Sequence, residues 1–460
     1  PQGSTTHNVA GSWNDAGGTF TPGAGTFILS GDGETITTAG GNKFFNLFIN
    51  PLAGNTVTAS SNLDIDGELK VTSGTLAIAG LNADVAGITN VDGILSLTTG
   101  TFTANGLTDV DGTLSIEGIG TYNAVGQFTA DGGGAVTFTD EGNLVCSNTS
   151  DNTFGTLTST LGKVTFDAVG TQALPDETFH DLTVNNATNL TMDNDVQVDG
   201  DLDFTSGYVI TSDNKLTIGS SGTISNATDA AHVNVSDPSG YLAKIFGSAS
   251  SFSFPVGNGF ILRSIDLTTD AASTFNVRYD DEKFTAGGGN ILAASGALGS
   301  GWAGGYISGY ANNNSIVVGG AANTPVIPPS KGYHYNISRP VGTANATLTV
   351  NWTDSDQFGS DGPGTPALPA NVTGITWAEW NGAAWDVIAS NPTGTIDAGQ
   401  VNTTGVVDFS LTNFTLGSLD GSNYLPIDLV SFDGQCIDNK TNLEFVVASQ
   451  VNNEYFTIKR

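Results

Sequence analysis

The stretch Ile65-Asp66-Gly67-Glu68-Leu69-Lys70-Val71 decides how this chain is read. Its plan is apolar-Asp-Gly-x-Leu-x-apolar. The plan returns from Val91 to Leu97, from Val110 to Ile116 and from Val198 to Phe204. In three copies a second glycine follows seven residues after the first, as in Gly67 and Gly74, and in the copy at Gly112 it follows after eight. A chain that repeats a strand-turn-strand phrase builds an array.

Parity around the phrase gives the inside and the outside. Leu63, Ile65, Leu69 and Val71 fall on one side of an extended strand, and Asp64, Asp66, Glu68 and Lys70 on the other. Val196, Val198, Leu202 and Phe204 alternate in the same way with Gln197, Asp199, Asp201 and Asp203. Period-2 alternation marks a strand with one buried and one wet face. A longer repeat encloses the short one: Gly25, Leu47 and Gly67 have counterparts at Gly162, Leu182 and Gly200, offsets of 137, 135 and 133.

Two architectures fit residues 1–225. Asp-Gly between alternating runs is a hairpin signal, which leads to a meander or sandwich. Recurrence near 20 residues is instead one coil of a β-solenoid, where each turn stacks on the last. The solenoid is preferred, because the repeats are contiguous and each is too short to hold a core alone. Residues 118–160, with Asp131-Gly132-Gly133-Gly134, break the rhythm and read as an irregular excursion. Stacked coils would align Asp66, Asp92 and Asp111 as an acidic ladder. The best calcium candidate is the set Asp193, Asp195, Asp199 and Asp201, which lacks the order of an EF-hand loop. Otherwise these are turn formers and a solvated face. No other cofactor is expected.

Composition supports an all-β chain. Gly numbers 61 of 460 residues, and long charged helix formers are scarce. Lys plus Arg total 13 against 45 Asp plus Glu, a net charge of -32. That balance argues against nucleic acid as a partner. No apolar run approaches the length that crosses a bilayer, so membrane insertion is not expected. The opening at Pro1 without a signal-peptide core reads as a mature or trimmed product. Cys146 and Cys436 are 290 residues apart, in separate regions, and a bridge between them is not expected.

Residues 226–424 change character. Strand candidates lengthen, and five of the six tryptophans lie between Trp302 and Trp385. This suggests one or two antiparallel β-sandwich modules. Trp377, Trp380 and Trp385 form a candidate glycan-stacking platform, although aromatics in alternating strands are ordinary sandwich core. Four scattered histidines, and no nucleophile elbow, phosphate loop or zinc motif, give no catalytic constellation, so an enzyme is not expected. Thr-x-Thr pairs at Thr19/Thr21, Thr56/Thr58 and Thr101/Thr103 suggest ice binding, but they do not recur at one position of the repeat.

Residues 425–460 carry the most specific text. Leu425-Pro426-Ile427-Asp428-Leu429-Val430-Ser431-Phe432 leads to Asn442-Leu443-Glu444-Phe445 and then to Ala448-Ser449-Gln450-Val451-Asn452-Asn453-Glu454-Tyr455-Phe456. This resembles the Ig-like module that precedes the type IX secretion sorting domain in Bacteroidota surface proteins. Phe445, Val447 and Gln450 depart from the usual Trp, Thr and Glu. Phe252 to Gly257 resembles a strand-turn of the same proteins. The resemblance implies an exported protein at the outer cell surface or outside the cell, handled by secretion and anchoring machinery. The module stops at Arg460, which reads as a partial module. Its strands would have unpaired edges, so Leu429, Phe432, Leu443, Phe445 and Phe456 are candidate assembly residues for a homo-oligomer or filament. The function expected is a structural or adhesive β rod. The rival is a carbohydrate-binding or carbohydrate-active β-helix protein with a glycan partner.

Overall fold

The structure is a computed structural model. It describes residues 4–15, 17–235, 239–258, 262–280, 285–286, 289–290, 308–309, 334–352, 372–381, 385–395, 398–418, 429–437 and 440–447. Two compact units divide the chain at Asn234/Val235. The described elements are strands apart from one 3-10 turn at Val372–Gly374.

The first unit is a β-solenoid of about 12 turns. Each turn contributes three short strands, and each strand pairs in parallel with its counterpart one turn away. Stack I includes Asn46–Ile49, Leu69–Val71, Thr89–Val91 and Thr108–Val110. Stack II includes Thr56–Ala59, Thr75–Ala79, Ile94–Thr99 and Thr113–Ile116. Stack III includes Leu63–Ile65, Ala83–Val85, Thr101–Ala104 and Thr121–Ala124. Leu63 pairs with Ala83, Ala83 with Phe102 and Phe102 with Tyr122, advances of 20, 19 and 20 residues. Hairpins are ruled out for this unit by the parallel pairing.

The reason lies in what one coil lacks. Three strands of three to five residues have no second layer, so their apolar sides can be buried only by the other strands of the turn and by the turns above and below. Leu63, Ile65, Leu69 and Val71 are buried to 2% exposure or less, as parity requires. Phe102 and Tyr122 stack at 4.9 Å and 8° on consecutive turns. The buried Tyr122 hydroxyl reaches Thr108 Oγ1 at 2.8 Å, and burial raises its phenol well above the usual tyrosine range. Cys146 is a free, buried thiol, its ionisation likewise suppressed by burial.

Glycine closes the corners. Between stacks III and I, Gly67, Gly87, Gly106 and Gly126 lie one above another, and a side chain on any of the last three would meet the carbonyl oxygen of the glycine before it. Asn148 continues this corner, donating from Nδ2 to the Gly126 carbonyl at 2.7 Å.

Two expectations are corrected. First, the Asp-Gly copies do not share a corner. Asp66-Gly67 joins stack III to stack I, whereas Asp92-Gly93 and Asp111-Gly112 join stack I to stack II. Asp66 therefore does not stack with Asp92; the phrase specifies a corner, not which corner. Second, residues 118–160 are regular coils. Thr121–Ala124, Phe128–Phe138, Asn143–Cys146 and Thr153–Ser159 all pair in parallel with their neighbours. Only the corner swells. Val110 and Thr113, three apart, face Ala130 and Ala135, five apart, so Asp131 to Gly134 bulge outward with two extra residues.

The second unit is antiparallel. One sheet contains Tyr241–Phe246, Ser273–Asp280, His334–Gly342, Asn413–Ser418, Ile375–Trp380 and Trp385–Ile388. Another contains Ser251–Phe254, Ile265–Thr269, Ala346–Trp352, Gly399–Thr403 and Ser390–Gly394. The Trp377 indole N–H donates across to the Val401 carbonyl at 3.2 Å, in a core with Leu348 and Phe414. This is sandwich packing. Leu429–Ile437 and Lys440–Val447 form a two-stranded hairpin with Phe432 opposite Phe445.

His334 makes this unit acid-sensitive. Burial pushes its imidazole down to about 4; nearby Asp280 opposes the shift and Arg278 adds to it. The folded value is depressed below the ordinary ~6.5. His334 is thus neutral when folded, and the unfolded chain takes up the proton first. Its contribution is complete above about pH 6.5 and is lost as pH falls toward 4, at up to about 1.4 kcal/mol per pH unit. Urea unfolding of the second unit should show this extra slope, and His334→Gln should remove it.

Candidate functional site

Three surfaces of the solenoid carry its exposed chemistry. The first is the corner between stacks I and II. Asp109 ends a stack I strand, Asp111 begins the corner, and Asp131 occupies the swollen corner one turn on. Their carboxylate oxygens lie within 4.8 Å of one another. Burial first, then Asp111 and Asp131, raises the Asp109 carboxyl above its ordinary range, while the Thr129 hydroxyl opposes this. Such a group can accept a hard cation. Sequence reading missed Asp109 and Asp131, which meet Asp111 only through register. The signal was an Asp-x-Asp followed about one coil later by another Asp-Gly.

Elsewhere lysines offset the acids. Lys43 Nζ lies 3.1 Å from Asp64 and 3.0 Å from Asp66, and Lys70 Nζ lies 3.0 Å from Asp92. Asp131→Asn should therefore relieve unbalanced repulsion at its corner. It should stabilise the chain by a few tenths of a kcal/mol to about 1 kcal/mol at low salt. The gain should fade in high salt, read by thermal unfolding at both ionic strengths.

The second surface holds the calcium candidates named from sequence. Asp193 and Asp195 precede the strand Val196–Val198, and Asp199 and Asp201 follow it. Asp195 accepts the Lys215 backbone N–H at 2.8 Å, and Asp199 accepts from Gln197 at 2.7 Å. Asp201 accepts from Thr223 at 2.7 Å and Ser225 at 2.6 Å. Three of the four carboxylates thus have protein donors, and two of those tie neighbouring coils.

The third surface is the outer side of stack II. One column runs Thr56, Thr75, Ile94, Thr113 and Ala135, and the adjacent column runs Thr35, Thr58, Ala77, Ser96, Ser115 and Thr137. Thr101 and Thr103 stand on stack III, and Thr19 and Thr21 lie outside the strands.

Among the tryptophans, Trp377 is fully buried and Trp380 is 7% exposed, so neither offers the open ring that stacking on a sugar requires. Trp385 pairs with Trp380 across the hairpin. Of the assembly candidates, Leu429 pairs with Val447, Phe432 with Phe445 and Gly434 with Leu443, all through the backbone ladder. Phe456 lies outside the described residues.

Comparison with protein-family profiles, with curated proteins and with solved structures returns no match. No helix among the described residues is long and apolar enough to cross a membrane. The fold therefore defines the class by itself: a three-strand-per-turn parallel β-solenoid joined in sequence to an antiparallel sandwich.

Proposed function

We propose that the protein is an exported structural or adhesive component of the outer cell surface, and not an enzyme. The observation that supports this reading best is the parallel ladder of the first unit, which continues in register through about 12 turns. At ~4.8 Å per turn this unit is roughly 55 Å long. Its hydrogen bonds run along the stacking direction, so a pull along it loads many bonds together. A rod of this kind holds other parts of a molecule away from a surface. The resemblance of residues 425–460 to modules of secreted Bacteroidota proteins supports export through anchoring machinery.

Assembly is the finer part of the proposal. The hairpin of Leu429–Ile437 and Lys440–Val447 is a sheet of two strands among the described residues, and such a pair is marginal alone. Strand addition from a second copy would complete it. Two measurements test the reading. Protease shaving of intact producing cells should release the protein; retention inside the cells would reject surface display. Electron micrographs of the purified chain should show rods that join end to end. A monomer at all concentrations would reject assembly and leave the display role standing.

A further inference from the structure

The outer side of stack II differs from the rest of this acidic chain. From Thr35 to Thr137 no acidic or basic residue occupies an outward strand position on it, although the net charge is -32. Glu117 follows the strand and accepts from Ser96 at 3.3 Å and Ser115 at 3.2 Å, so its charge stands at the rim. The hydroxyls of Thr56, Thr58, Thr75, Thr113 and Thr137 donate to no other described residue. On stack III the same chemistry is used up: Thr165 donates to Asn143 at 3.0 Å and Thr223 to Asp201 at 2.7 Å.

These threonines are also fixed in space. They are partly buried against one another and their β-branched side chains are stiff. Neighbours along a column repeat at ~4.8 Å, and i,i+2 neighbours within a strand at ~6.7 Å. Methyl and hydroxyl groups thus form a flat two-dimensional grid, preset before any ligand arrives. The geometry points to binding of ice by this face, with the threonine grid holding surface water at lattice positions.

The alternatives fit less well. A glycan platform or a protein hot spot uses aromatic residues, and the outward positions of this face carry none. A charged ligand finds no counter-ion. A second copy would need about 800 Å² from each partner, whereas this face offers roughly 400 Å² on strand spacings alone. Ice needs no pocket and no charge, only a rigid grid. Hexagonal ice repeats its oxygens at distances comparable to both grid spacings. Sequence reading counted against ice because the Thr-x-Thr pairs looked out of phase. Thr56/Thr58 is in phase with Thr75, Thr113 and Thr137, and the pairs that break phase belong elsewhere.

The test is thermal hysteresis of the purified full chain, with partition into a slowly growing ice front. The expected result is faceted crystals, measurable hysteresis and enrichment in the ice fraction. Thr113→Lys and Thr58→Lys should each lower the hysteresis at least fivefold with an unchanged thermal unfolding curve. Thr103→Lys on stack III should leave it unchanged. If one face variant misfolds, the other decides. Absence of hysteresis in the unsubstituted chain overturns the inference. So does equal hysteresis in all three variants, or binding to insoluble cellulose without binding to ice.

Discussion

Gly112→Ala is expected to destabilise the solenoid by about 2–3 kcal/mol, although alanine is ordinarily the safer residue. The new methyl would fall on the carbonyl oxygens of Gly93 and Asp92, one turn away. Both are backbone atoms, and the corner cannot move off them cheaply. Gly112 N–H donates to Val91 at 2.7 Å, Thr113 N–H to Gly93 at 2.8 Å and Ala135 N–H to the Gly112 carbonyl at 2.9 Å. Opening the corner would weaken that set, at about 1 kcal/mol per bond. The opposing effect is the lower entropy of the unfolded chain with alanine, at most about 1 kcal/mol, so the clash wins. Gly40→Ala is the control, because nothing lies within 4 Å of its side-chain position. It should change stability by less than about 0.5 kcal/mol. Amide exchange from Ile94 to Ile116 reads the local effect; unchanged protection there in Gly112→Ala would show that the corner is not close-packed.

The second large effect is expected at Phe102. Phe102→Ala should cost about 3–5 kcal/mol. The ring is fully buried, with Ala83 one turn below and Tyr122 stacked one turn above. The hole cannot collapse, because backbone ladders hold neighbouring turns at a fixed separation. Phe102→Leu keeps most of the volume and should cost less than half as much. Denaturant unfolding of the first unit, followed by exchange or far-UV dichroism, gives both numbers. Equal and small losses for the two variants would mean a loosely filled interior.

Some of this was legible in residues and some was not. Inside and outside were, because parity is local: Leu63, Ile65, Leu69 and Val71 must share a side whatever lies around them. The identity of each corner was not. Gly67, Gly87, Gly106 and Gly126 share one corner, yet the residues before them are Asp66, Ala86, Asn105 and Val125. The neighbour at the turn is free to vary; the glycine is not. Asp66-Gly67 and Asp92-Gly93 look alike because every corner needs a tight turn, and they stand on different edges. Asp109, Asp111 and Asp131 required the register, since a swollen corner intervenes between the last two turns. The threonine grid was hidden for the same reason. Thr56, Thr75 and Thr113 align through intervals of 19 residues or multiples of it, while the Thr101/Thr103 pair belongs to another stack.

The swollen corner from Asp131 to Gly134 has a further consequence. Two extra residues are absorbed there while the strands on either side keep their partners. Length is therefore conserved in the strands and free at the corners. A corner of this kind is a splice point. Segments can be grafted outward at it without disturbing the turns above and below, and a whole turn can be duplicated or deleted between equivalent corners. The first unit is in this sense a ruler whose graduations can be added or removed, and its reach is open to selection independently of what it displays.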